Sequence, residues 1–342
     1  MIRRTLVLTA LAGLALATAT APAAARNQIR IVGSSTVYPF ATAVAEEFGK
    51  SSGFKTPVVE STGTGGGLKL FCSGVGVEHP DISNASRRIK KSEVDACAKN
   101  GANQIAEVKI GYDGIVFSNS IKAQPIPLTR EQIYLAIAKQ VPQKGKLVAN
   151  PYKTWNEIDP SLPKQEIIVY GPAPNHGTRD ALVELVMDEA CKKFTEISSL
   201  EEAAQKKACE TVREDGAFVE VSESYNVTLE KLVKNPTAIG IFGFSYFDNN
   251  RDKVRAATVD GVEPTFENIS SQKYPVSRSL YFYVKIAHVG AIPGIKEYVD
   301  EFTSEKAWGP NGYLAEKGLI PLPDAERKIQ REIAMKLTPL TM

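Results

Sequence analysis

Histidine is scarce in this chain of 342 residues: His79, His176 and His288 are the only three, and they stand far apart. The four cysteines include no C-x-x-C pair, and no Asp/His cluster accompanies them. A zinc site or a metal-dependent hydrolase centre therefore has no ligand set in the sequence. An excess of one charge is also missing. The formal net charge of +2 comes from Arg3 and Arg4, and from residue 26 onward 39 basic residues face 39 acidic ones. A nucleic-acid binder would carry a basic excess, so that class is excluded. Beyond residue 25 no stretch is apolar enough to cross a bilayer, and there is no internal repeat, heptad or low-complexity tract. Two phosphate-loop fingerprints fail as well. Lys69 follows Leu68, so there is no Gly-Lys-Ser/Thr, and G-x-G-x-x-G does not fit the register of the glycines at 63–67.

What remains is ordinary globular composition, 43% hydrophobic and 23% charged, in a chain long enough for two domains. Residues 1–25 read as a secretory signal: Arg3 and Arg4, an apolar run from Leu6 to Leu16, and Ala23-Ala24-Ala25 as an A-x-A site with cleavage before Arg26. No cysteine follows that site, which argues against a lipid anchor. An even number of cysteines in a secreted chain suggests two disulfides, with three possible connectivities. Cys72–Cys97 and Cys191–Cys209 are favoured because each closes a short local loop.

Three junctions share one pattern. The strand Ile29–Val32 runs through Gly33-Ser34-Ser35-Thr36-Val37-Tyr38-Pro39 into a helix with Phe40, Val44 and Phe48 on one face. The strand Val58–Glu60 runs through Ser61-Thr62-Gly63-Thr64-Gly65-Gly66-Gly67 into a second helix. The strand Ile167–Tyr170 runs through a loop ending in His176-Gly177-Thr178-Arg179-Asp180 into a third, whose core face is Leu182, Leu185, Val186 and Ala190. Serine and threonine at such junctions cap helices, but they also offer donors of adjustable direction beside unpaired N–H groups. The three glycines at 65–67 are expected to let the backbone approach a ligand. Arg179 opposes the dipole of the helix it starts, which a bound anion would explain. Arg87 could clamp an oxyanion through its planar fork. Asp113, between apolar strands at 105–110 and 115–117, reads as a turn before Gly114 or as a carboxylate needing an arginine partner. A Gly-punctuated strand at 236–244 is expected to continue through Tyr246-Phe247, and a Pro-rich segment to finish the chain. Strands alternating with helices argue for an α/β fold with a largely parallel sheet and a ligand beyond the strands' carboxyl ends. Hydroxyls, N–H groups and arginines without a nucleophile–base pair suit a small tetrahedral oxyanion.

Gly33-Ser-Ser-Thr-Val-Tyr-Pro, Gly63-Thr-Gly-Gly-Gly, Asp81-x-x-Asn-Ala-Ser-Arg and Gly177-Thr-Arg-Asp occur in that order. Together they resemble the phosphate-binding proteins of the high-affinity phosphate ABC transporter (PstS-type). The likeness extends through Ala238-Ile239-Gly240 and Tyr274-Pro-x-x-Arg278. It implies a two-lobed periplasmic binding protein fold of type II, crossing the hinge near Ile115 and near Leu280. Lobe I would be residues 26–115 plus 281–342 and lobe II residues 116–280. It implies phosphate in the cleft, held by Ser35, Thr36 and the Val37 amide, by Thr64 and Ser86, and by His176 (through its amide), Gly177 and Thr178. A periplasmic monomer without cofactor, metal or enzymatic activity, docking on an inner-membrane ABC permease, completes the implied picture.

Two positions depart from the family pattern. Arg87 stands where other members carry an Asp that accepts the proton of monohydrogen phosphate. Pro172 stands where some carry an Arg, with Arg179 following instead. The expectation is that Arg87 and Arg179 supply charge and that Asp113 accepts the proton, which would exclude sulfate. Sulfate, molybdate or tungstate binding, and a secreted phosphate sensor or adhesion module, are the alternatives. A phosphatase would need a metal cluster or activated nucleophile that the sequence does not offer.

Overall fold

Short runs of β-branched and apolar residues ended by glycine or serine build the strands, and apolar residues at three- and four-residue spacing build the helices. The computed structural model describes residues 26–124, 126–174, 176–221 and 224–342, so the expected leader at 1–25 lies outside the described residues. The chain begins with β1 (Arg30–Gly33), α1 (Tyr38–Ser51), β2 (Val58–Ser61), α2 (Thr64–Phe71), β3 (Ile82–Ala85), α3 (Lys91–Lys99) and β4 (Ile105–Ser120). It continues with α4 (Arg130–Ile137), the hairpin β5 (Gln140–Gln143) and β6 (Lys146–Ala149), α5 (Trp155–Ile158), β7 (Val169–Pro172) and α6 (Gly177–Leu182). A π-helical turn over Val183–Met187 joins α6 to α7 (Asp188–Cys191) in one helical run. Then follow α8 (Thr195–Ser198), α9 (Glu202–Glu210), β8 (Phe218–Val221), α10 (Tyr225–Lys234), β9 (Ile239–Gly243), α11 (Phe244–Asp248), β10 (Val254–Ala256) and α12 (Phe266–Ser270). The chain closes with β11 (Ser277–Lys285), α13 (Ile295–Phe302), α14 (Glu305–Trp308), α15 (Tyr313–Glu316) and α16 (Asp324–Lys336).

Among the described residues nine strands form one mixed sheet, in the order β2-β1-β3-β11-β4-β9-β7-β8, with β10 also on β4. The parallel pairing expected from the alternation of strands and helices is confined to two triplets, β2-β1-β3 and β9-β7-β8. Between them β11 and β4 run antiparallel to each other and to their outer neighbours. β4 is unbroken, so Asp113-Gly114 is not a turn. β11 lies alongside it and pairs Arg278 with Asp113 and Ser277 with Gly114. The ladder shifts register between Leu280 and Tyr281.

Two large apolar clusters flank this pair. One contains Ile31, Val44, Phe48, Val108, Ile110, Leu280, Phe282 and Trp308, and a smaller satellite around Leu68, Phe71, Ala85 and Tyr283 covers the other side of the same strands. The second contains Tyr112, Ile115, Phe117, Tyr134, Trp155, Val186, Phe242 and Val276. Along β4 the membership changes between Ile110 and Tyr112, and across β11 between Val276 and Leu280. The chain returns a third time. Ile320 and Leu322 pack in the second cluster, and Ile320 exchanges both backbone hydrogen bonds with Tyr112, at 2.8 and 3.0 Å. One disulfide lies in each half, Cys72–Cys97 and Cys191–Cys209, with Cα separations of 4.1 and 5.4 Å. Arg26, the first described residue, bonds both oxygens of the buried Asp81 at 2.7 and 2.8 Å and so ties the chain's start to the sheet.

Three local readings change. Gly65–Gly67 lie inside α2 rather than in a loop before it. A Cβ on Gly67 would collide with the Gly33 backbone, so this glycine lets α2 lie against β1. Tyr246 and Phe247 belong to α11, not to a continued strand. The C-terminal segment contains the 13-residue α16, of which only Arg327 and Ala334 are buried. Its anchor is polar: Arg327 bonds Glu305, Asp324 and the Leu322 carbonyl, and such an anchor leaves no apolar stripe to read.

Candidate functional site

The first junction, between β1 and α1, does not cap its helix with serine or threonine in the ordinary way. The N-cap position is Val37, and the Val37 N–H reaches Ser34 Oγ only at 3.4 Å. The other two hydroxyls point elsewhere. Ser35 Oγ donates to the Asp180 carboxylate on α6, and Thr36 Oγ1 accepts from Arg278 Nη2 at 2.6 Å. Pro39 in the first helical turn needs no N–H partner there.

At the second junction Thr64 opens α2. Its Oγ1 accepts the Ser86 N–H at 3.1 Å and lies 3.0 Å from Ser86 Oγ. Ser86 follows the end of β3 and is buried. The parallel strands β2, β1 and β3 thus bring the first two junctions and Ser86 to the same end of the sheet.

The third junction starts α6. His176 Nδ1 accepts the Thr178 N–H at 3.1 Å, and the His176 N–H donates to the Ala173 carbonyl at 3.1 Å. The amide expected to serve a ligand is therefore used in the turn. Thr178 is buried and its hydroxyl pairs with the Tyr225 hydroxyl. Burial pushes the Tyr225 phenol up to about 12, so it stays a neutral donor at ordinary pH. Gly177 approaches the first loop: a Cβ built on it would lie 3.5 Å from Thr36 Cα. The first and third junctions therefore meet across the two halves of the molecule.

Arg278 joins them. Its side chain is 7% exposed, and it sits on β11 directly opposite Asp113. Nε bonds Asp113 Oδ2 at 3.3 Å, Nη2 bonds Thr36 Oγ1, and Nη1 pairs with Glu184 in the helical run after α6. Burial raises the Asp113 carboxyl above its ordinary range. Arg278 opposes that rise without cancelling it, and Glu184 adds repulsion. Arg278 was not among the candidate ligands read from sequence. The stated need of Asp113 for an arginine partner was the signal, but 165 residues separate the two.

The two arginines expected to supply charge are held by protein groups. Arg87 bonds both carboxylate oxygens of Glu93 at 2.8 and 2.9 Å, and Glu93 also accepts the Lys90 N–H at the start of α3. Arg179 donates to the Pro172 carbonyl at 2.8 Å and to Glu220 at 3.1 Å, with its guanidinium 5.2 Å from the Phe218 ring centre. That geometry turns Arg179 toward β7 and β8 rather than toward Ser35 and Thr36. The structure therefore joins Thr36 and Asp113 through Arg278 and brings the first loop, Ser35 to Val37, to Asp180 and Gly177 at the third junction, while Thr64 and Ser86 pair with each other at the end of β3. Arg87 and Arg179 form pairs of their own.

A family model described as a PBP superfamily domain matches residues 18–306. A Synechocystis protein named SphX is 30% identical over 314 residues, covering 89% of this chain and 81% of that protein. The phosphate-binding protein PstS of Staphylococcus saprophyticus is 30% identical over 304 residues, covering 87% and 81%. In fold, the chain is similar to the crystal structure of a possible phosphate binding protein from Planctomyces limnophilus, with a TM-score of 0.71, 24% identity and coverage of 91% and 98%.

Proposed function

This chain belongs to the PBP superfamily and, within it, stands with the PstS-type proteins; from that premise we propose that it captures inorganic phosphate between its two lobes and hands it to an ABC permease. The single observation that carries the reading is the meeting of the first and third junctions, where Ser35 bonds Asp180 and Thr36 lies against Gly177, with the buried Arg278 guanidinium bonded to Thr36. Hydroxyls, backbone N–H groups and one buried guanidinium suit a tetrahedral oxyanion held by directional hydrogen bonds. The reading is capture and release rather than turnover, in keeping with the PstS-type relatives.

The apolar clusters change over between Ile110 and Tyr112 and between Val276 and Leu280, a few residues before the proposed boundaries of lobe I (26–115 with 281–342) and lobe II (116–280). The segment with Ile320 and Leu322 is a third connection between them, through its bridge to Tyr112. Closure would be a hinge motion of one lobe on the other. Export to the periplasm is supported by the expected leader and the two disulfides, and the proposed form there is a monomer. In the ligand set Arg278 takes the charge role first given to Arg87 and Arg179, whose guanidiniums are engaged by Glu93 and Glu220.

Calorimetric titration of ligand-stripped protein with phosphate, sulfate and molybdate tests the reading. Tight phosphate binding with no sulfate response is expected, together with loss of phosphate uptake in cells lacking the protein. Binding of sulfate or molybdate instead of phosphate would overturn the ligand assignment. Phosphate binding without any effect on uptake would overturn delivery to a permease.

A further inference from the structure

Thr178 is the hydroxyl that the third junction offers to a ligand, and a threonine hydroxyl has one proton to give. It can donate that proton to an anion only if its own bond to the protein is one in which it accepts. Thr178 is 7% exposed, and its hydroxyl pairs with that of Tyr225, the first residue of α10, 47 residues further along the chain. The direction of this bond decides what Thr178 can do. Gly243, at the end of β9, lies against the phenol oxygen: a Cβ built there would be 3.1 Å away, and the Gly243 N–H is a donor to it. Burial above all, with the Asp113 carboxylate adding to it, keeps the phenol protonated. Among the described residues Thr178 Oγ1 is the one acceptor paired with that proton. If Thr178 donated instead, the phenol oxygen would hold two donors and its own proton would have no protein acceptor.

We infer that Tyr225 is a positioning residue for the anion: its hydroxyl donates to Thr178 Oγ1 and so turns the Thr178 proton toward the cleft. The inference rests on the phosphate reading above and adds to the site a residue that need not touch the ligand. The phenol ring is held among three others, with centroids 5.3 Å away at His176, 5.0 Å at Tyr246 and 5.8 Å at Phe242. His176 also accepts the Thr178 N–H at 3.1 Å, so both the backbone and the side chain of Thr178 are fixed by this aromatic group. A hydroxyl aligned in advance has no rotor left to freeze when the anion arrives, and one that already accepts is a stronger donor. Without the phenol hydroxyl Thr178 Oγ1 loses its donor and is free to rotate away from the cleft.

The test is a double-mutant cycle, read by calorimetric titration of phosphate into the ligand-stripped mature protein, its Tyr225→Phe and Thr178→Val variants and the pair combined. Phenylalanine keeps the ring among its neighbours and removes only the hydroxyl, and valine keeps the shape of threonine. Tyr225→Phe is expected to weaken phosphate binding ~10-fold, and Thr178→Val ~10- to 100-fold. In the Thr178→Val background Tyr225→Phe should cost no more than ~2-fold, because the hydroxyl it positions has gone. Thr178→Ser keeps the hydroxyl and should stay within a few-fold of wild type. Wild-type affinity in Tyr225→Phe overturns the inference. So does an equal loss in both backgrounds, which would mean that the phenol acts independently of Thr178. Unchanged affinity in Thr178→Val, or a loss in Thr178→Ser as large as in valine, overturns it too while leaving phosphate capture intact. A wild-type protein that ignores phosphate overturns both. Thermal unfolding without phosphate establishes that each variant is folded. If Tyr225→Phe does not fold, Gly243→Ala, whose methyl crowds the phenol oxygen, takes its place in the cycle with the same outcomes.

Discussion

Arg278 is gripped on three sides, by the Thr36 hydroxyl at 2.6 Å, by Asp113 at 3.3 Å and by Glu184. A guanidinium fixed in this way presents its donors without further ordering when an anion arrives. Hydrogen bonds to a charged group contribute about 1.5–3 kcal/mol each, so losing two of them costs roughly two to four powers of ten in affinity. Arg278→Met is therefore expected to weaken phosphate binding at least ~100-fold, read by calorimetry. Arg278→Lys should recover little of this, because a single ammonium cannot serve Thr36, Asp113 and a ligand in the fork geometry. Retention of near-wild-type affinity by either variant would remove Arg278 from the site. At this scale the sequence was legible in part. The hydroxyl residues of all three junctions could be found because they follow strands and precede helices. The requirement of Asp113 for a cation could be stated from its apolar flanks. Which arginine answers it could not, because the choice among Arg87, Arg179 and Arg278 depends on which strand lies beside β4.

Among elements, α2 shows most plainly what glycine can mean. Its first turn contains Gly65, Gly66 and Gly67, and only Gly67 faces another backbone. A methyl there would meet Gly33 Cα and come within 3.2 Å of Ser83 Oγ, so α2 would have to move off β1. Overpacking of this kind typically costs about 1–3 kcal/mol. Gly65 has nothing within 4 Å of a built Cβ, and alanine in a helix is favoured over glycine by about 0.5–1 kcal/mol. Gly67→Ala should thus lower the urea midpoint and Gly65→Ala should leave it unchanged or raise it. Because the shift of α2 carries Thr64 away from Ser86, Gly67→Ala should also weaken phosphate binding. Equal effects at the two positions would mean that α2 does not depend on this close approach. A glycine run looks the same in a sequence whether it lines a ligand or a neighbouring strand, and for that reason the loop reading of 65–67 gave way. The same limit hid α16, whose anchor is Arg327 rather than an apolar stripe, and the antiparallel centre of the sheet, since alternation along the chain reports crossovers but not where β4 and β11 insert.

For the molecule as a whole, the question is whether the lobes are independent. Each has its own apolar cluster and its own disulfide. Against independence stand β4 and β11, which are paired from Ile105 with Lys285 to Gly114 with Ser277, and the return of Ile320 to Tyr112. Unfolding either half alone would strip one end of both long strands and expose the backbone groups they pair. One cooperative transition is therefore expected in scanning calorimetry, despite two cores. On the proposed site phosphate is gripped by residues from both halves and so binds only the folded whole. At ~1,000 times its dissociation constant it should add about 4 kcal/mol to the unfolding free energy and move the transition upward as a unit. Sulfate at the same concentration should leave the midpoint within the shift that ionic strength alone produces. Two separated transitions, of which phosphate moves only one, would mean that the ligand belongs to a single lobe. The hinge description would then give way to a site built by one half alone.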